Sequence, residues 1–125
     1  MKGLVLMIED EEHIRILFRD AMFDEGVMVV GLPTGEEGVE FYRSHSKEID
    51  LVVLDLSLPG ISGEATFNQL KALDPKVKVV ISSGFPIEDV TRTFDGTSVI
   101  GYLQKPYNYV TLVESVAKFL AATKD

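Results

Sequence analysis

The sequence predicts an α/β fold in which helices cover both faces of a doubly wound parallel sheet. Five short apolar runs recur along the chain, and segments with helical spacing separate them. The runs occupy residues 4–8, 27–30, 51–54, 77–81 and 99–103. Because right-handed crossovers return each strand in the same direction, this alternation predicts a parallel sheet. The length of 125 residues predicts one domain over residues 1–125.

The apolar runs have the composition of strands that are buried on both faces. They are rich in Val, Ile and Leu, and none alternates cleanly between apolar and polar residues. In such folds, ligands bind outside the carboxyl ends of the strands. The residues directly after each run are therefore the first candidates for function.

Two helices are predicted in the first half of the chain. Residues 11–25 have apolar side chains at i, i+3, i+4, i+7 and i+8, which form one stripe. The stripe consists of Ile14, Leu17, Phe18, Ala21 and Met22. A second helix follows Thr34, because Thr34 and Glu37 have the spacing of a capping box.

Three more helices are predicted in the second half. Residues 63–73 have apolar residues at intervals of three. Residues 86–94 predict a shorter helix, in which Pro86 suits the first helical position. The last helix is expected over residues 107–122, with its apolar residues on one side.

The composition argues against several classes of function. A formal net charge of −8 would repel nucleic acid, so no direct nucleic acid partner is expected. The absence of cysteine excludes disulfides, thiolate zinc sites and thiol nucleophiles. No apolar run approaches the roughly 20 residues that span a bilayer, and the N-terminus lacks the pattern of a signal peptide. We expect a cytoplasmic protein without direct membrane insertion.

Polar residues follow four of the five apolar runs. In chain order they are Glu9 and Asp10, Asp55, Ser82 and Ser83, and Tyr102 with Lys105. Each also has a purely structural interpretation. Asp10 could cap the following helix, and Asp55 could be a solvated strand end. Ser83 could belong to an ordinary turn, and Lys105 could be a surface lysine.

The combination favours a functional site. Three carboxylates at adjacent strand ends repel one another and offer hard oxygen ligands, which predicts a divalent cation, most naturally magnesium. A lysine and a serine hydroxyl opposite them would bind an anion beside the metal. Together these groups predict phosphoryl transfer. Asp55 is the best candidate for the phosphoryl acceptor.

Four motifs in order resemble the receiver domain of two-component response regulators. They are the pair Glu9-Asp10, "LDLSLPGISG" around Asp55, "ISSG" ending at Gly84, and "YLQKP" from Tyr102 to Pro106. The resemblance covers about residues 3–122. It implies a flavodoxin-like, five-stranded sheet with the strand order 2-1-3-4-5.

The resemblance implies a role for each matching residue of the metal site. Asp55 would take a phosphoryl group from a phosphohistidine of a histidine kinase or histidine phosphotransfer domain. Asp10 and Asp55 would bind magnesium directly, and Glu9 would bind it through water. The backbone carbonyl of Ser57 would add a further ligand.

Three other positions would serve the phosphoryl group and the switch. Lys105 would pair with the phosphoryl oxygens, and the Ser83 hydroxyl would move toward the phosphate. Tyr102 matches an aromatic residue that changes rotamer in step with that hydroxyl. The protein would be a phosphoacceptor that changes a partner-binding surface. It would not be an enzyme, beyond self-phosphorylation and autodephosphorylation.

Three departures from the family pattern are visible. Glu9 replaces the commoner Asp, and Ser83 replaces the commoner Thr. Residues 94–102 lack the usual Gly-Ala pair before the last strand. This segment resembles the corresponding segment of receivers in hybrid histidine kinases more than that of receivers in DNA-binding regulators.

The first predicted helix is the expected docking surface for the phosphodonor. Its apolar residues are too many for one face, so Ile14 or Leu17 could stay exposed near the acids and contact the partner. The alternative is that all of them are core. The expected oligomeric state is a monomer or a weak dimer that depends on phosphorylation.

Other functions fit the residues less well. A degenerate receiver that acts without phosphorylation would lack part of the set Asp10, Asp55, Ser83 and Lys105. A phosphatase with an aspartate nucleophile needs a second aspartate two residues later, where this chain has Ser57. A flavodoxin-like flavin module needs a phosphate loop after the first strand, and the acidic residues there would repel phosphate.

Overall fold

A computed structural model describes residues 3–123, so both ends of the predicted domain over residues 1–125 lie outside the described part. Within that part, five strands alternate with five helices. The strands are β1 (Gly3–Ile8), β2 (Val27–Leu32), β3 (Leu51–Asp55), β4 (Val79–Ser83) and β5 (Gly101–Gln104). The helices are α1 (Glu12–Asp24), α2 (Gly35–His45), α3 (Gly63–Leu73), α4 (Ile87–Thr93) and α5 (Tyr109–Ala122).

The strands form one parallel sheet in the order β2-β1-β3-β4-β5, which confirms the predicted fold class and strand order. The chain first builds outward from β1 to β2, and then crosses back to β3 on the other side of β1. The order therefore reverses between β1 and β3. Their carboxyl ends flank the crevice in which ligands of this fold class bind.

Two apolar layers cover the two faces of the sheet. One layer joins the sheet to α1 and α5 through buried residues such as Met7, Phe18 and Leu112. The other joins it to α2, α3 and α4 through residues such as Ile8, Leu70 and Val90. Burial on both faces explains why the strands read as continuous apolar runs.

Local capping fixes where several helices begin. The Thr34 hydroxyl accepts a hydrogen bond from the Glu37 backbone N–H at 3.1 Å, as the capping-box spacing predicts. Ser62 and Asn108 cap α3 and α5 in the same way. Pro86 is the N-cap of α4 instead of its first residue, because its backbone is still extended at ψ 138°.

All five strands differ by one or two residues from the predicted runs, and β4 and β5 begin later than predicted. β4 begins at Val79 and continues through Ser83, because its pairing with β3 and β5 extends to the two serines. β5 is shorter than the apolar run and begins at Gly101. Between residues 3 and 123, no helix combines the length and the apolar character needed to cross a membrane.

Candidate functional site

Three carboxylates meet at the carboxyl edge of the sheet. Glu9 and Asp10 follow β1, and Asp55 is the last residue of β3. One carboxylate oxygen from each residue lies within 4.8 Å of the other two. Asp10 is exposed, whereas Glu9 and Asp55 are buried, with relative exposures of 0% and 3%. The predicted acidic cluster is therefore present, and most of it is shielded from water.

Lys105 supplies the positive charge that this burial requires. Its Nζ lies 2.6 Å from Oε1 of Glu9 and 3.2 Å from Oδ2 of Asp55. A buried carboxylate without a partner would be strongly destabilising. One ammonium group shared by two carboxylates leaves the cluster with a net negative charge, which a further cation could balance.

The electrostatics of the cluster are visible in its pKa values. Burial raises the pKa of Glu9 to about 7, while hydrogen bonds from Lys105 and from the Glu11 backbone oppose the rise and the Asp55 charge adds to it. Burial disfavours the Lys105 ammonium, but the hydrogen bond to Glu9 and the charges of Asp55 and Glu9 outweigh it and raise the pKa of Lys105. Lys105 therefore stays charged near pH 7, where the Glu9 carboxylate takes up a proton.

The cluster suits a small divalent cation. Three converging carboxylates with one exposed member offer hard oxygen ligands together with access for water, which is the environment that magnesium prefers. A cation beside Glu9 would also favour its ionised form, since an opposite charge counteracts desolvation. The residues present thus fit the metal that the sequence predicts.

Ser57 lies in the turn that follows Asp55. Its backbone N–H donates to Oδ1 of Asp55 at 3.1 Å, and this bond orients the carboxylate while Lys105 holds the other oxygen. Ser57 itself is exposed. The metal-binding role of its carbonyl remains a prediction.

Ser83 and Tyr102 lie around one small cavity. Ser83 is buried, and its hydroxyl accepts a hydrogen bond from the Phe85 backbone N–H at 3.0 Å. Both residues line a cavity of about 10 Å³ under α4. Burial, with a smaller contribution from the Asp95 charge, raises the pKa of Tyr102, so its hydroxyl stays protonated. The switch roles of the two residues remain predictions.

The structure separates the two residues predicted to contact a partner. Ile14 is half-buried and packs against the α1 and α5 core layer, so the hypothesis of an exposed Ile14 is wrong. The reason is geometric, because Ile14 lies one helical turn before the buried Phe18 on the same face. Leu17 is 44% exposed and Ile16 is 40% exposed. Leu17 therefore stays a candidate contact.

Sequence reasoning missed Arg15. Its Nη1 donates to the backbone carbonyl oxygen of Glu9 at 2.7 Å, which ties α1 to the end of β1. The aliphatic part of Arg15 crosses β2 at Gly31, where a Cβ atom would lie 3.1 to 3.3 Å from three Arg15 carbons. A glycine inside a strand signals such a close approach, although it does not name the partner.

A hydroxyl pair formed by the buried Ser82 and the half-buried Tyr107 was also missed. The Tyr107 phenol and the Ser82 hydroxyl are hydrogen-bonded to each other across 25 residues of sequence. Burial raises the pKa of Tyr107 to about 12. Two consecutive serines at the end of an apolar run were the available signal, but the sequence does not show which side chain faces which layer.

Comparison with known proteins places these features in one family. The response regulator receiver domain matches residues 5–117. Sensor kinase CckA of Brucella abortus is 28% identical over 116 residues, which cover 93% of this chain and 12% of that protein. Sporulation initiation phosphotransferase F of Bacillus subtilis is 23% identical over 120 residues, which cover 96% of this chain and 95% of that protein.

A solved structure shows the same architecture. The signal receiver domain of a protein described as the Luxo repressor of Vibrio parahaemolyticus superposes with a TM-score of 0.87 at 29% sequence identity. The match covers 99% of this chain and 94% of that one.

Proposed function

The chain belongs to the response regulator receiver domain family of two-component signalling, and from that premise we propose that it is a phosphoacceptor switch. Asp55 takes a phosphoryl group from a phosphohistidine in a reaction that depends on magnesium. The observation that carries this proposal is the position of Lys105, whose ammonium lies against both Asp55 and the buried Glu9.

In the proposed phosphoryl transfer, Asp55 is the nucleophile and the neighbouring carboxylates bind the metal. An oxygen of Asp55 attacks phosphorus, an O–P bond forms, and the N–P bond to the donor imidazole breaks. The imidazole nitrogen retains the electron pair of the broken bond. Bound magnesium would be held directly by Asp10 and Asp55 and through water by Glu9, and it would neutralise charge on the transferring group.

Lys105 and Ser83 would act on the phosphoryl oxygens. The Lys105 ammonium can move from the carboxylates to an incoming phosphoryl oxygen, because it already lies 3.2 Å from Asp55. Phosphorylation would thus exchange the carboxylate partners of the Lys105 ammonium for a phosphoryl oxygen. Ser83 and Tyr102 share one cavity under α4, which supports their proposed role in passing the change to the surface of α4 and β5.

The proposed donor is a histidine kinase or a histidine phosphotransfer domain. The relatives named a sensor kinase and a sporulation phosphotransferase support a partner of this kind. We propose a cytoplasmic phosphoacceptor without turnover of a separate substrate, as a monomer or as a dimer formed on phosphorylation. Its place as a receiver of a hybrid kinase stays a prediction.

Labelling by a small phosphodonor tests the proposal. Acetyl phosphate with magnesium should add one phosphoryl group, detected by intact mass, and Asp55→Asn should abolish the addition. Asp24→Asn is the matched control, since Asp24 is an exposed aspartate at the end of α1. Labelling of the Asp55 variant at the wild-type level would exclude Asp55 as the acceptor. A wild-type protein that takes no label would favour the degenerate receiver.

A further inference from the structure

The hydroxyl pair Ser82–Tyr107 lies on the same face of the sheet as the candidate site. Ser82 stands opposite Asp55 in β3 and opposite Leu103 in β5. Paired residues of adjacent strands point their side chains to the same face, which here is the α1 and α5 layer that contains Leu103. The Ser82 hydroxyl is therefore next to the Asp55 carboxylate along the sheet.

Tyr107 follows Lys105 by two residues, in the short segment between β5 and α5. Its ring packs against the α1 and α5 layer, and its phenol bonds to Ser82. Its charged surroundings are Lys105, Glu9 and Asp55, all of which influence its pKa. Tyr107 thus lies close to the charged groups of the candidate site.

A second set of bonds ties the same segment to β4 from its other side. The Lys105 backbone N–H donates to the Ser83 carbonyl oxygen at 2.8 Å. The Gln104 amide donates to the carbonyl oxygens of Ser83 at 3.2 Å and of Phe85 at 2.9 Å. The Ser82–Tyr107 bond adds a side-chain tie just beyond Lys105, so the lysine is held on both sides.

The Ser82 hydroxyl is buried, so it is costly unless it has a partner, and the half-buried Tyr107 phenol provides one. An apolar pair would fill the space without that cost. Such a polar pair gives conformational specificity, because only one arrangement satisfies both hydroxyls. We infer that Tyr107, through its bond to Ser82, is a positioning residue that holds the Lys105 ammonium in register with Asp55. This inference rests on the proposed function of Asp55 and extends it to Tyr107, which lies just outside the family motifs.

A double-mutant cycle separates positioning from simple stabilisation. Tyr107→Phe removes only the phenolic oxygen, and it should slow labelling by acetyl phosphate about threefold to tenfold at saturating magnesium. Ser82→Ala should give the same loss, and the two changes together should lose little more. In a Lys105→Ala background, Tyr107→Phe should have no further effect, because its action passes through the lysine.

Tyr42→Phe is the matched control. The Tyr42 phenol donates to Oδ2 of Asp74 at 2.7 Å, away from the carboxylate cluster. Like Tyr107→Phe, this variant loses a hydrogen bond and should lose some stability, but its labelling rate should stay at the wild-type value. A wild-type labelling rate for Tyr107→Phe, or an equal loss in the Lys105→Ala background, would overturn the inference.

Amide hydrogen exchange gives a readout that does not depend on phosphorylation. Tyr107→Phe should speed exchange of the Lys105 backbone amide about threefold to tenfold relative to the Ile100 amide, which bonds to Val79 in the sheet. Tyr42→Phe should leave this ratio unchanged. An unchanged ratio of the Lys105 and Ile100 exchange rates in Tyr107→Phe would contradict the positioning role even if the protein is labelled. An increased ratio supports the role even if labelling fails for another reason.

Discussion

Lys105 Nζ lies 2.6 Å from Oε1 of Glu9, a carboxylate that the fold buries completely. The ammonium group is therefore a structural counter-ion as well as a candidate ligand for phosphate. Removing it would leave Glu9 and Asp55 facing each other with no positive charge between them.

Lys105→Ala should accordingly destabilise the metal-free protein by about 3 kcal/mol, the usual cost of leaving a buried charge without its partner. Magnesium should restore most of the loss, since it would supply the missing positive charge. Urea unfolding with and without magnesium measures both effects. Lys118→Ala, at an exposed position of α5, is the control and should change the unfolding free energy by about 0.5 kcal/mol or less. Equal losses in both variants would contradict the counter-ion role.

The raised pKa of Glu9 gives a dependence of stability on pH. The folded state holds its proton up to about pH 7, whereas the unfolded carboxyl releases it near the ordinary value of 4.5. Between these values the folded state binds more protons, so stability falls as pH rises through the window. The loss should be about 2 to 3 kcal/mol in metal-free protein. Unfolding by urea at several pH values measures it.

Glu9→Gln isolates this contribution, because it keeps the size of the side chain and removes the titration. The variant should show a flatter profile between pH 4.5 and pH 7 than the wild-type protein. Magnesium should flatten the wild-type profile in the same range, since a bound cation favours the ionised carboxylate. A profile that is equally steep in the variant would assign the pH dependence to another group.

The carboxylate cluster was predictable because it depends on topology alone. Parallel strands bring their carboxyl ends to one edge, and the strand order that the resemblance implies puts β1 beside β3, so Glu9, Asp10 and Asp55 were expected to be neighbours. Lys105 follows the same logic at the end of β5. The capping of α2 by Thr34 was equally local, since it needs only two residues at a fixed spacing.

Other contacts depend on distances that a pattern does not contain. The Ser82–Tyr107 bond requires the register of β4 against β5 and the path of the chain after Lys105. The exposure of Leu17 could not be predicted for a similar reason. Leu17 lies about 100° around the helix from Phe18 and falls at the edge of the apolar stripe. Periodicity identifies the stripe but does not say how far the neighbouring elements cover it.

Gly63 is predicted to be essential for the placement of Asp55. A Cβ atom at this first residue of α3 would lie 2.8 Å from the Asp55 carbonyl oxygen and 2.6 Å from Cα of Leu56. Both neighbours are backbone atoms, so they cannot yield without moving the end of β3. Gly63→Ala should cost about 2 kcal/mol of stability and slow labelling of Asp55. Urea unfolding and labelling by acetyl phosphate measure the two effects.

Gly84→Ala is the matched change in the neighbouring loop. There the nearest atom to an added Cβ is Cβ of Lys105 at 4.0 Å, an ordinary contact. We expect near wild-type stability and labelling from this variant. If Gly63→Ala behaves like Gly84→Ala, the end of β3 adapts to the added methyl group, and the close approach does not fix Asp55.

Leu17 should matter for a protein phosphodonor and not for a small one. Its side chain is 44% exposed on α1, the helix that follows the acidic residues, whereas Ile14 on the same helix packs against the core. Leu17→Ala should slow transfer from a phosphohistidine partner several-fold and leave labelling by acetyl phosphate and stability nearly unchanged. Ile14→Ala should instead cost about 1 to 2 kcal/mol of stability, as a partly buried truncation does. Rates with both donors and urea unfolding of both variants distinguish the two roles. Equal slowing of both donors by Leu17→Ala would assign Leu17 to the integrity of the site, and no slowing of either would remove it from the docking surface.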